Sequence, residues 1–288
     1  MDTTDVTRAI TAATSVAKSL GLPARHASVL HNSNKLALRL MPCDVFARVA
    51  FVGQEVAQFE VELAQRLAEV GGPVCPLEPR VEPRVYTHDG FAVTLWTYYG
   101  PATPHLSPAD YAKALERLHD GMRKADVPSP RFTDRVTEAQ EIVADPARSP
   151  ELADADRAFL SGRLARLRRA IGHRGAVEQL LHGEPHPGNV LSTENGPLFI
   201  DFETCCRGPV EFDLAHVPEA VSEQYPGMDQ GLLDDCRQLV IAMVAAWRWE
   251  RGDQFPNGRR FGEVLLRLLR EGPPWPTLDT VIERLDDA

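Results

Sequence analysis

A change of hydrophobic pattern near residue 100 constrains the fold of this 288-residue chain most strongly. Before it, apolar and β-branched residues form short runs between turn formers, as in "HASVLHN", "KLALRLM", "DVFARVAF" and "FAVTLWTYY". After Pro108 the pattern is mostly helical, as in "ADYAKALERLHDGM" and "LLDDCRQLVIAMVAAWRWERG". Short runs of this kind predict strands, and apolar repeats at helical spacing predict helices. We therefore expect an α+β fold.

Two lobes are predicted from this division. The first, residues 1–96, would contain a helix ending near Leu20, a small antiparallel β-sheet and one further helix. The second, residues 97–288, would be larger and mainly helical, with a hairpin formed by "VLS" and "PLFID" around the turn "TENG". A small β-rich lobe and a larger helical lobe, joined by a connector near residue 97 and with the hairpin at their junction, predict a cleft, and small-molecule sites usually lie in such clefts.

Charge and cysteine content exclude several classes of protein. A formal net charge of -10 argues against nucleic-acid binding. Five cysteines, an odd number without paired spacing, argue against a secreted disulfide framework and for a reduced compartment. The N-terminal stretch is interrupted by charged residues, so we expect neither a signal peptide nor a membrane partner. The chain is predicted to be cytoplasmic, and its oligomeric state is left open.

Acidic residues are concentrated between Gly208 and Cys236, where there is no Lys or Arg. Seven acidic side chains fall in this segment: Glu211, Asp213, Glu219, Glu223, Asp229, Asp234 and Asp235. One interpretation is a solvated acidic face. The other is a wall that binds a positively charged substrate. The sequence leaves both open.

The stretch "LLHGEPHPGNVL" combines histidines, a carboxylate and an amide with several helix breakers. Its prolines and glycines do not fit the helix of a zinc protease. His182 and Glu184 match the His-x-Glu that begins a zinc deaminase site, which also needs two cysteines two residues apart. Cys205 and Cys206 are adjacent instead. A zinc hydrolase or deaminase is therefore the weaker interpretation.

A kinase-type site follows from the spacing of Glu184, Asn189 and Asp201. Asn189 comes five positions after Glu184, and Asp201 ends the strand-like run "LFID" twelve residues later. Kinase-type enzymes place a carboxylate near the acceptor hydroxyl, an Asn five residues on, and an Asp after a hydrophobic strand. The Asn and the Asp hold magnesium, which favours oxygen ligands.

These motifs resemble those of the aminoglycoside phosphotransferase and choline kinase group of small-molecule kinases. The resemblance is carried by "HGEPHPGNVLS", "LFIDFE" and "GPVEFDLA" and covers nearly the whole chain. It implies a two-lobed protein-kinase-like fold that uses ATP and Mg²⁺ to phosphorylate a hydroxyl of a small molecule. Asn189 and Asp201 would bind the metal, and Glu184 would be the catalytic carboxylate. Asp213 would tie the catalytic loop to the following helix.

Glu184 departs from the family pattern, which usually has Asp at this position. The extra methylene moves the carboxylate outward, and a misplacement of about 1 Å can cost roughly 100-fold in rate. General-base catalysis itself contributes about 100- to 10,000-fold. Either Glu184 serves a differently placed hydroxyl, or the enzyme is weakened. The alternative function is a catalytically weak or inactive, pseudokinase-like nucleotide-binding module.

Family members also place a cation on the third strand, paired with a helix carboxylate. Arg48 and Glu60 match these positions, with Arg39 as the competitor for the cation. In the absence of a Gly-rich loop, Ser33 and Asn34 are expected to offer backbone N–H groups to phosphate.

The connector "LWTYYG" matches the family's adenine-binding hinge. The carbonyl of Trp96 and the amide of Tyr98 would bind the base. Alternatively, these aromatics belong to the core. The acceptor is not identified, because sugars, aminoglycosides and amino alcohols are all used within this fold.

Overall fold

The computed structural model describes residues 1–33, 35–53, 56–100, 106–125 and 127–286. The chain forms two compact units, and each is made of several segments. The first unit comprises Met1–Leu106, Asp120–Val127 and Val190–Glu203, and the second comprises Ser107–His119, Pro128–Asn189 and Thr204–Ala288. Segment 190–203, with the predicted hairpin, thus groups with the first unit, whereas the boundary near residue 97 stays a prediction.

The first unit is built on a five-stranded antiparallel sheet with strand order β1-β2-β3-β5-β4. Its elements up to the end of the sheet are α1 (Thr3–Ser19), β1 (Ala24–Asn32), β2 (Leu36–Pro42), β3 (Val45–Phe51), α2 (Val56–Glu69), β4 (Tyr86–His88) and β5 (Phe91–Thr97). The predicted hairpin is present as β7 (Val190–Thr193) and β8 (Gly196–Phe199). The small antiparallel sheet expected for the N-terminal region is confirmed.

The core of this sheet lies on one face of β2 and β3. Leu36, Leu38 and Leu40 are fully buried, and alternate residues of β3 from Val45 to Val49 are buried with them. Successive side chains of a strand point to opposite faces, so Arg48 lies on the face away from this core. Helix α1 packs a row of small buried residues, mainly alanines, against the same core.

The second unit is mainly helical, as predicted. Its helices are α3 (Pro108–Lys124, whose C-terminal end belongs to the first unit), α4 (Phe132–Ala144), α5 (Asp154–His173), α6 (Val210–Leu214), α7 (Glu219–Ser222), α8 (Gln230–Arg248), α9 (Gly258–Glu271) and α10 (Leu278–Asp286). Two short strands, β6 (Gln179–Leu181) and β9 (Cys206–Gly208), pair antiparallel within it. Among the described residues, no helix is long and apolar enough to span a membrane.

Candidate active site

The loop that follows β6 carries Glu184 and is anchored by Asp213. The Asp213 carboxylate is fully buried and accepts hydrogen bonds from the amides of His182 (2.9 Å) and Gly183 (2.8 Å). Nε2 of His119 lies 2.9 Å from the same carboxylate. Burial alone would raise the pKa of Asp213, but the His119 contact, the charge of His182 and the Gly183 amide lower it below its ordinary value. The anchoring role predicted for Asp213 is confirmed.

Gly183 has a left-handed backbone conformation, with a φ of 91°. A β-carbon at this position would collide with the carbonyl oxygen of Thr204. Glycine has no β-carbon and populates positive φ readily, so it allows this close approach of two backbone segments. The glycine therefore fixes the turn that presents Glu184.

Glu184 forms an ion pair with Arg135 of α4. The two side chains are only 26% and 15% exposed, and Arg135 also donates to the Gly183 carbonyl at 3.3 Å. The guanidinium lies 5.1 Å from the centre of the Trp247 ring. Burial would raise the pKa of Glu184, but Arg135, with a smaller contribution from His216, lowers it. The carboxylate is therefore ionised at neutral pH.

Asn189 is tied to the same loop through its side chain. Its amide nitrogen donates to the Glu184 carbonyl at 2.9 Å, which fixes the orientation of the amide group. The opposite end of that amide is an oxygen, the type of ligand that Mg²⁺ prefers. Further support for the loop comes from Tyr111, whose hydroxyl donates to the Pro185 carbonyl. His186 accepts a hydrogen bond from the Gly188 amide at 3.1 Å.

A cavity of about 270 Å³ lies beside Glu184 within the second unit. Most of its wall is apolar and is formed by Val244, Trp247, Phe255, Phe261, Leu278 and Ile282. The polar part of the wall consists of Glu184, His186, His216, Arg248 and Asp279. This composition is typical of a small-molecule site, with an apolar wall and a few placed polar groups.

No acid between Glu211 and Asp235 lines this cavity, so the cavity does not support the interpretation of the segment as a wall for a cationic substrate. Several of these acids instead bind other parts of the second unit. Glu211 accepts a hydrogen bond from the Asp229 amide at 3.0 Å, and Asp229 caps the N-terminus of α8. Asp235 pairs with Arg174 at 2.9 Å. Their concentration in the sequence therefore reflects caps and ion pairs.

In the first unit, the predicted pair of Arg48 and Glu60 is present. Their charged groups are 2.6 Å apart, and Arg48 also binds a carboxylate oxygen of Asp201 at 2.8 Å. Burial lowers the pKa of Arg48, but Glu60 and Asp201 outweigh it and raise the pKa above its ordinary value. Arg39 lies outside this group: it pairs with Asp44 at 2.7 Å. The site therefore favours Arg48 over Arg39 as the cation near Asp201.

Lys35 also belongs to the network of ion pairs around Arg48, Glu60 and Asp201, and the sequence analysis did not identify it. Its ammonium lies 2.9 Å from Glu60 and 2.7 Å from Glu203, and its side chain is 9% exposed. The network therefore contains two cations and three carboxylates, a formal charge of one minus. A lysine directly before an apolar strand was its only signal in the sequence. Buried charges are costly to desolvate, so such a network indicates function more than stability.

Asp201 has a left-handed backbone with a φ of 66°. Strain of this kind costs about 1–3 kcal/mol and clusters at ligand sites. The Asp201 carboxylate offers oxygen, the type of ligand that a hard ion such as Mg²⁺ prefers. Among the described residues, no three His, Cys, Asp or Glu side chains are grouped as a metal site.

The cysteines give the zinc interpretation no further support. Cys205 and Cys206 are buried, and burial together with Asp213 raises the pKa of Cys206 to about 12.

The remaining nucleotide contacts are less supported by the geometry. The Ser33 amide already donates to the Lys35 carbonyl at 3.1 Å, and Asn34 lies outside the described residues. The Trp96 side chain is buried with Ala64 and Cys75, as in the core alternative. The hinge role of the Trp96 and Tyr98 backbones stays a prediction.

A sequence model of the phosphotransferase enzyme family matches residues 42–251. No significant match is found among the curated proteins. Several solved structures are similar in fold at low sequence identity. Spectinomycin phosphotransferase in complex with ADP and spectinomycin is 15% identical, with a TM-score of 0.63 over 92% of this chain and 95% of that chain.

Choline kinases are similar to the same extent. A choline/ethanolamine kinase family protein from Mesorhizobium loti is 17% identical, with a TM-score of 0.66 over 94% of this chain and 96% of that chain. Choline kinase LicA from Streptococcus pneumoniae is 13% identical, with a TM-score of 0.62 over 89% and 98%. These matches confirm the predicted α+β, protein-kinase-like fold.

Proposed function

The chain belongs to the phosphotransferase enzyme family, and from this premise we propose that it transfers the γ-phosphate of ATP to a hydroxyl of a small molecule. The observation that carries the proposal is the position of Glu184. Its ionised carboxylate lines a cavity suited to a small molecule and sits on a loop held by Asp213. An acceptor hydroxyl in this cavity would find a hydrogen-bond acceptor fixed in place.

In the proposed reaction, Glu184 accepts a hydrogen bond from the acceptor hydroxyl. The hydroxyl oxygen bonds to the γ-phosphorus, the bond from that phosphorus to the bridging oxygen breaks and releases ADP, and the hydroxyl proton passes to Glu184. A carboxylate with a lowered pKa is a weak base. That suffices because the transition state of phosphoryl transfer is loose, so positioning matters more than basicity.

Arg48 and Lys35 are proposed to steady the phosphates. Arg48 is a planar fork suited to phosphate oxygens, whereas Lys35 is a point charge. Both are already held in place by Glu60, at 2.6 Å and 2.9 Å. Asp201 and Asn189 are proposed to hold Mg²⁺, which would neutralise charge on the phosphates.

A nucleotide-binding module without catalysis is the second candidate. One observation favours this candidate. The Asp201 carboxylate, which a metal would need, is already neutralised by Arg48 at 2.8 Å. In that case the protein would bind nucleotide without turning it over.

The test compares the native chain with Glu184→Gln in Mg²⁺-dependent ADP release, using a panel of small hydroxyl compounds. Glutamine keeps the shape and removes the base, so acceptor phosphorylation should fall by about 100-fold or more while ATP affinity changes little. Glu194→Gln, an exposed acid in the β7–β8 turn, is the matched control and should retain activity. Equal turnover by Glu184→Gln would remove Glu184 from catalysis, and binding of ATP without transfer to any acceptor would support the second candidate.

A further inference from the structure

The Asp213 carboxylate, which holds the loop that carries Glu184, also contacts a fully buried histidine of α3. Nε2 of this residue, His119, lies 2.9 Å from a carboxylate oxygen of Asp213. The contacts described above lower the pKa of Asp213, so the carboxylate is ionised and its oxygens can only accept hydrogen bonds. Nε2 of His119 must therefore carry the proton of this contact.

The other nitrogen of the His119 ring meets the hydroxyl of a buried tyrosine. Nδ1 lies 2.8 Å from the hydroxyl oxygen of Tyr225, and the two rings meet edge to face with their centres 5.5 Å apart. A neutral imidazole with its proton on Nε2 has an acceptor at Nδ1, to which a tyrosine hydroxyl can donate. The hydrogen bond at one ring nitrogen sets the state of the other. Tyr225 is thus placed to control the nitrogen that faces Asp213.

Tyr225 is itself held in place by buried contacts within the second unit. Its amide donates to the carbonyl of Ser222 at 3.1 Å, and the Ser222 hydroxyl accepts a hydrogen bond from Arg237 of α8 at 2.9 Å. Ser222 is fully buried, and the Arg237 side chain is 5% exposed. The segment that follows α7 therefore presents the tyrosine hydroxyl to His119 in a fixed position.

We propose that Tyr225 is a positioning residue, whose hydroxyl donates to Nδ1 of His119 and so keeps the ring proton on Nε2, directed at Asp213. The contacts from Tyr225 through His119 and Asp213 to the Gly183 amide measure 2.8, 2.9 and 2.8 Å. Hydrogen bonds to an ionised group are strong, so a fixed donor at Nε2 holds the carboxylate in one orientation. The loop that presents Glu184 is then held in one position as well.

Without the hydroxyl, Nδ1 of His119 would be a buried acceptor that has lost its donor, which is costly. The ring would relieve this cost by taking a proton on Nδ1 or by turning away from Asp213. The opposite tautomer would turn an unprotonated Nε2 towards the carboxylate, so that two acceptors faced each other. The effect on catalysis rests on the proposed function, whereas the tautomer and the hold on the loop do not.

Nitrogen NMR spectra of the histidine rings test the tautomer near neutral pH. In the native chain, the signals that disappear in His119→Gln should show a protonated Nε2 and an unprotonated Nδ1. In Tyr225→Phe, which removes only the hydroxyl, part of the His119 population should carry a proton on Nδ1. A native ring with a proton on Nδ1, or an unaltered tautomer in Tyr225→Phe, overturns the inference.

Hydrogen exchange measures how firmly Asp213 holds the loop and requires no activity. In Tyr225→Phe, the Gly183 amide should exchange about 2- to 10-fold faster relative to the amides of α5, a factor that corresponds to one hydrogen bond. Tyr86→Phe is the matched control. It removes the hydroxyl of an equally buried tyrosine, which donates to the Glu82 carbonyl at 2.6 Å in the first unit.

The control should leave exchange at Gly183 unchanged. Equal exchange at Gly183 in the native chain and in Tyr225→Phe would show that the hydroxyl does not support the loop. This comparison does not depend on His119→Gln, so the inference stays testable if that variant does not fold.

The kinetics of Tyr225→Phe test the consequence for transfer. The kcat for acceptor phosphorylation should fall by about 10-fold while KM for ATP changes little, because the loop is displaced and the nucleotide contacts are not. A glutamine at position 119 can donate to Asp213 without a proton donor of its own. In the His119→Gln background, Tyr225→Phe should therefore have little further effect. A full 10-fold effect in that background would show that the hydroxyl acts by another route.

Failure of the proposed function has a different result. The tautomer of His119 and the faster exchange at Gly183 in Tyr225→Phe would then be observed. Neither the native chain nor the variants would pass phosphate from ATP to any compound of the hydroxyl panel.

Discussion

The Glu184 side chain is longer than that of an aspartate, and the Arg135 guanidinium holds its carboxylate in place. The guanidinium contacts the carboxylate on one side and lies 5.1 Å from the Trp247 ring centre on the other. Arginine combines these two contacts well, because its planar group both hydrogen-bonds and stacks. The carboxylate is thereby fixed in the cavity wall, and its orientation is set before any acceptor binds.

Replacing Arg135 by Leu should lower kcat/KM by about 10- to 100-fold, because the carboxylate loses its fixed orientation. The variant should also raise the pKa of Glu184, since Arg135 is the main group that lowers it. If activity requires the ionised form, the acidic limb of the pH–rate profile moves to higher pH. The measurement is kcat/KM from about pH 3 to about pH 8, a range that includes the acidic limb of the native profile.

Two further variants show whether this effect is one of positioning. Arg135→Lys keeps a charge and should restore the acidic limb in part. Arg131→Leu removes an exposed pair with Glu178 at the start of the same helix and should leave the profile unchanged. A wild-type profile in Arg135→Leu would show that the ion pair does not control Glu184.

Among the elements, the loop that carries Glu184 depends on contacts that bring distant segments together. Asp213 of α6 holds its start, Tyr111 of α3 holds its middle, and Gly183 allows the close approach of Thr204. The loop itself has almost no repetitive hydrogen bonding, so its shape is set by these three neighbours. Loss of one of them should disturb both stability and activity.

Gly183→Ala should therefore lower the free energy of unfolding by at least about 2 kcal/mol, through the positive φ and the collision with the Thr204 carbonyl. Urea denaturation measures this change. Gly162→Ala is the matched control, because that glycine lies inside α5 with open space around its β-carbon. The control should be neutral or stabilising by about 0.5–1 kcal/mol. Equal stability of the two variants would contradict the strain assigned to Gly183.

The elements that the sequence predicted are those with strong local periodicity. Strands β1, β2, β3 and β5, helix α2 and the β7–β8 hairpin all lie where the apolar pattern placed them. Strands β6 and β9 were missed, because each has only three residues and is defined by pairing with segments distant in sequence. Helix α4 was not identified either, although its buried residues recur at helical spacing from Phe132 to Val143. Because α4 was not predicted, the sequence analysis did not identify Arg135 as the partner of Glu184.

For the whole molecule, the sequence motifs predicted the fold and the family, whereas the ion pairs of Arg48 and Lys35 could be recognised only in the folded structure. Glu184, Asn189 and Asp201 are close enough in sequence for their spacing to be informative. Lys35 and Glu203 are far apart in sequence, and no motif around either residue indicates that they pair at 2.7 Å. The acidic segment shows the same limit, because composition does not reveal which acids are caps or ion-pair partners. Long-range pairing is a property of the folded chain.

If Asp201 holds the metal as proposed, the bond between Arg48 and Asp201 implies cooperativity between metal and nucleotide. A metal ion alone must compete for Asp201 with a tethered cation, whereas a phosphate offers Arg48 a second partner. Each ligand then raises the affinity of the other, and by linkage the two factors are equal. We expect Mg²⁺ alone to leave the melting temperature of the native chain nearly unchanged and Mg²⁺ with ATP to raise it. In Arg48→Met, Mg²⁺ alone should become stabilising, and strong stabilisation of the native chain by Mg²⁺ alone would contradict this coupling. If the coupling is observed, the ligand of this unit is the complex of metal and nucleotide, and neither component alone.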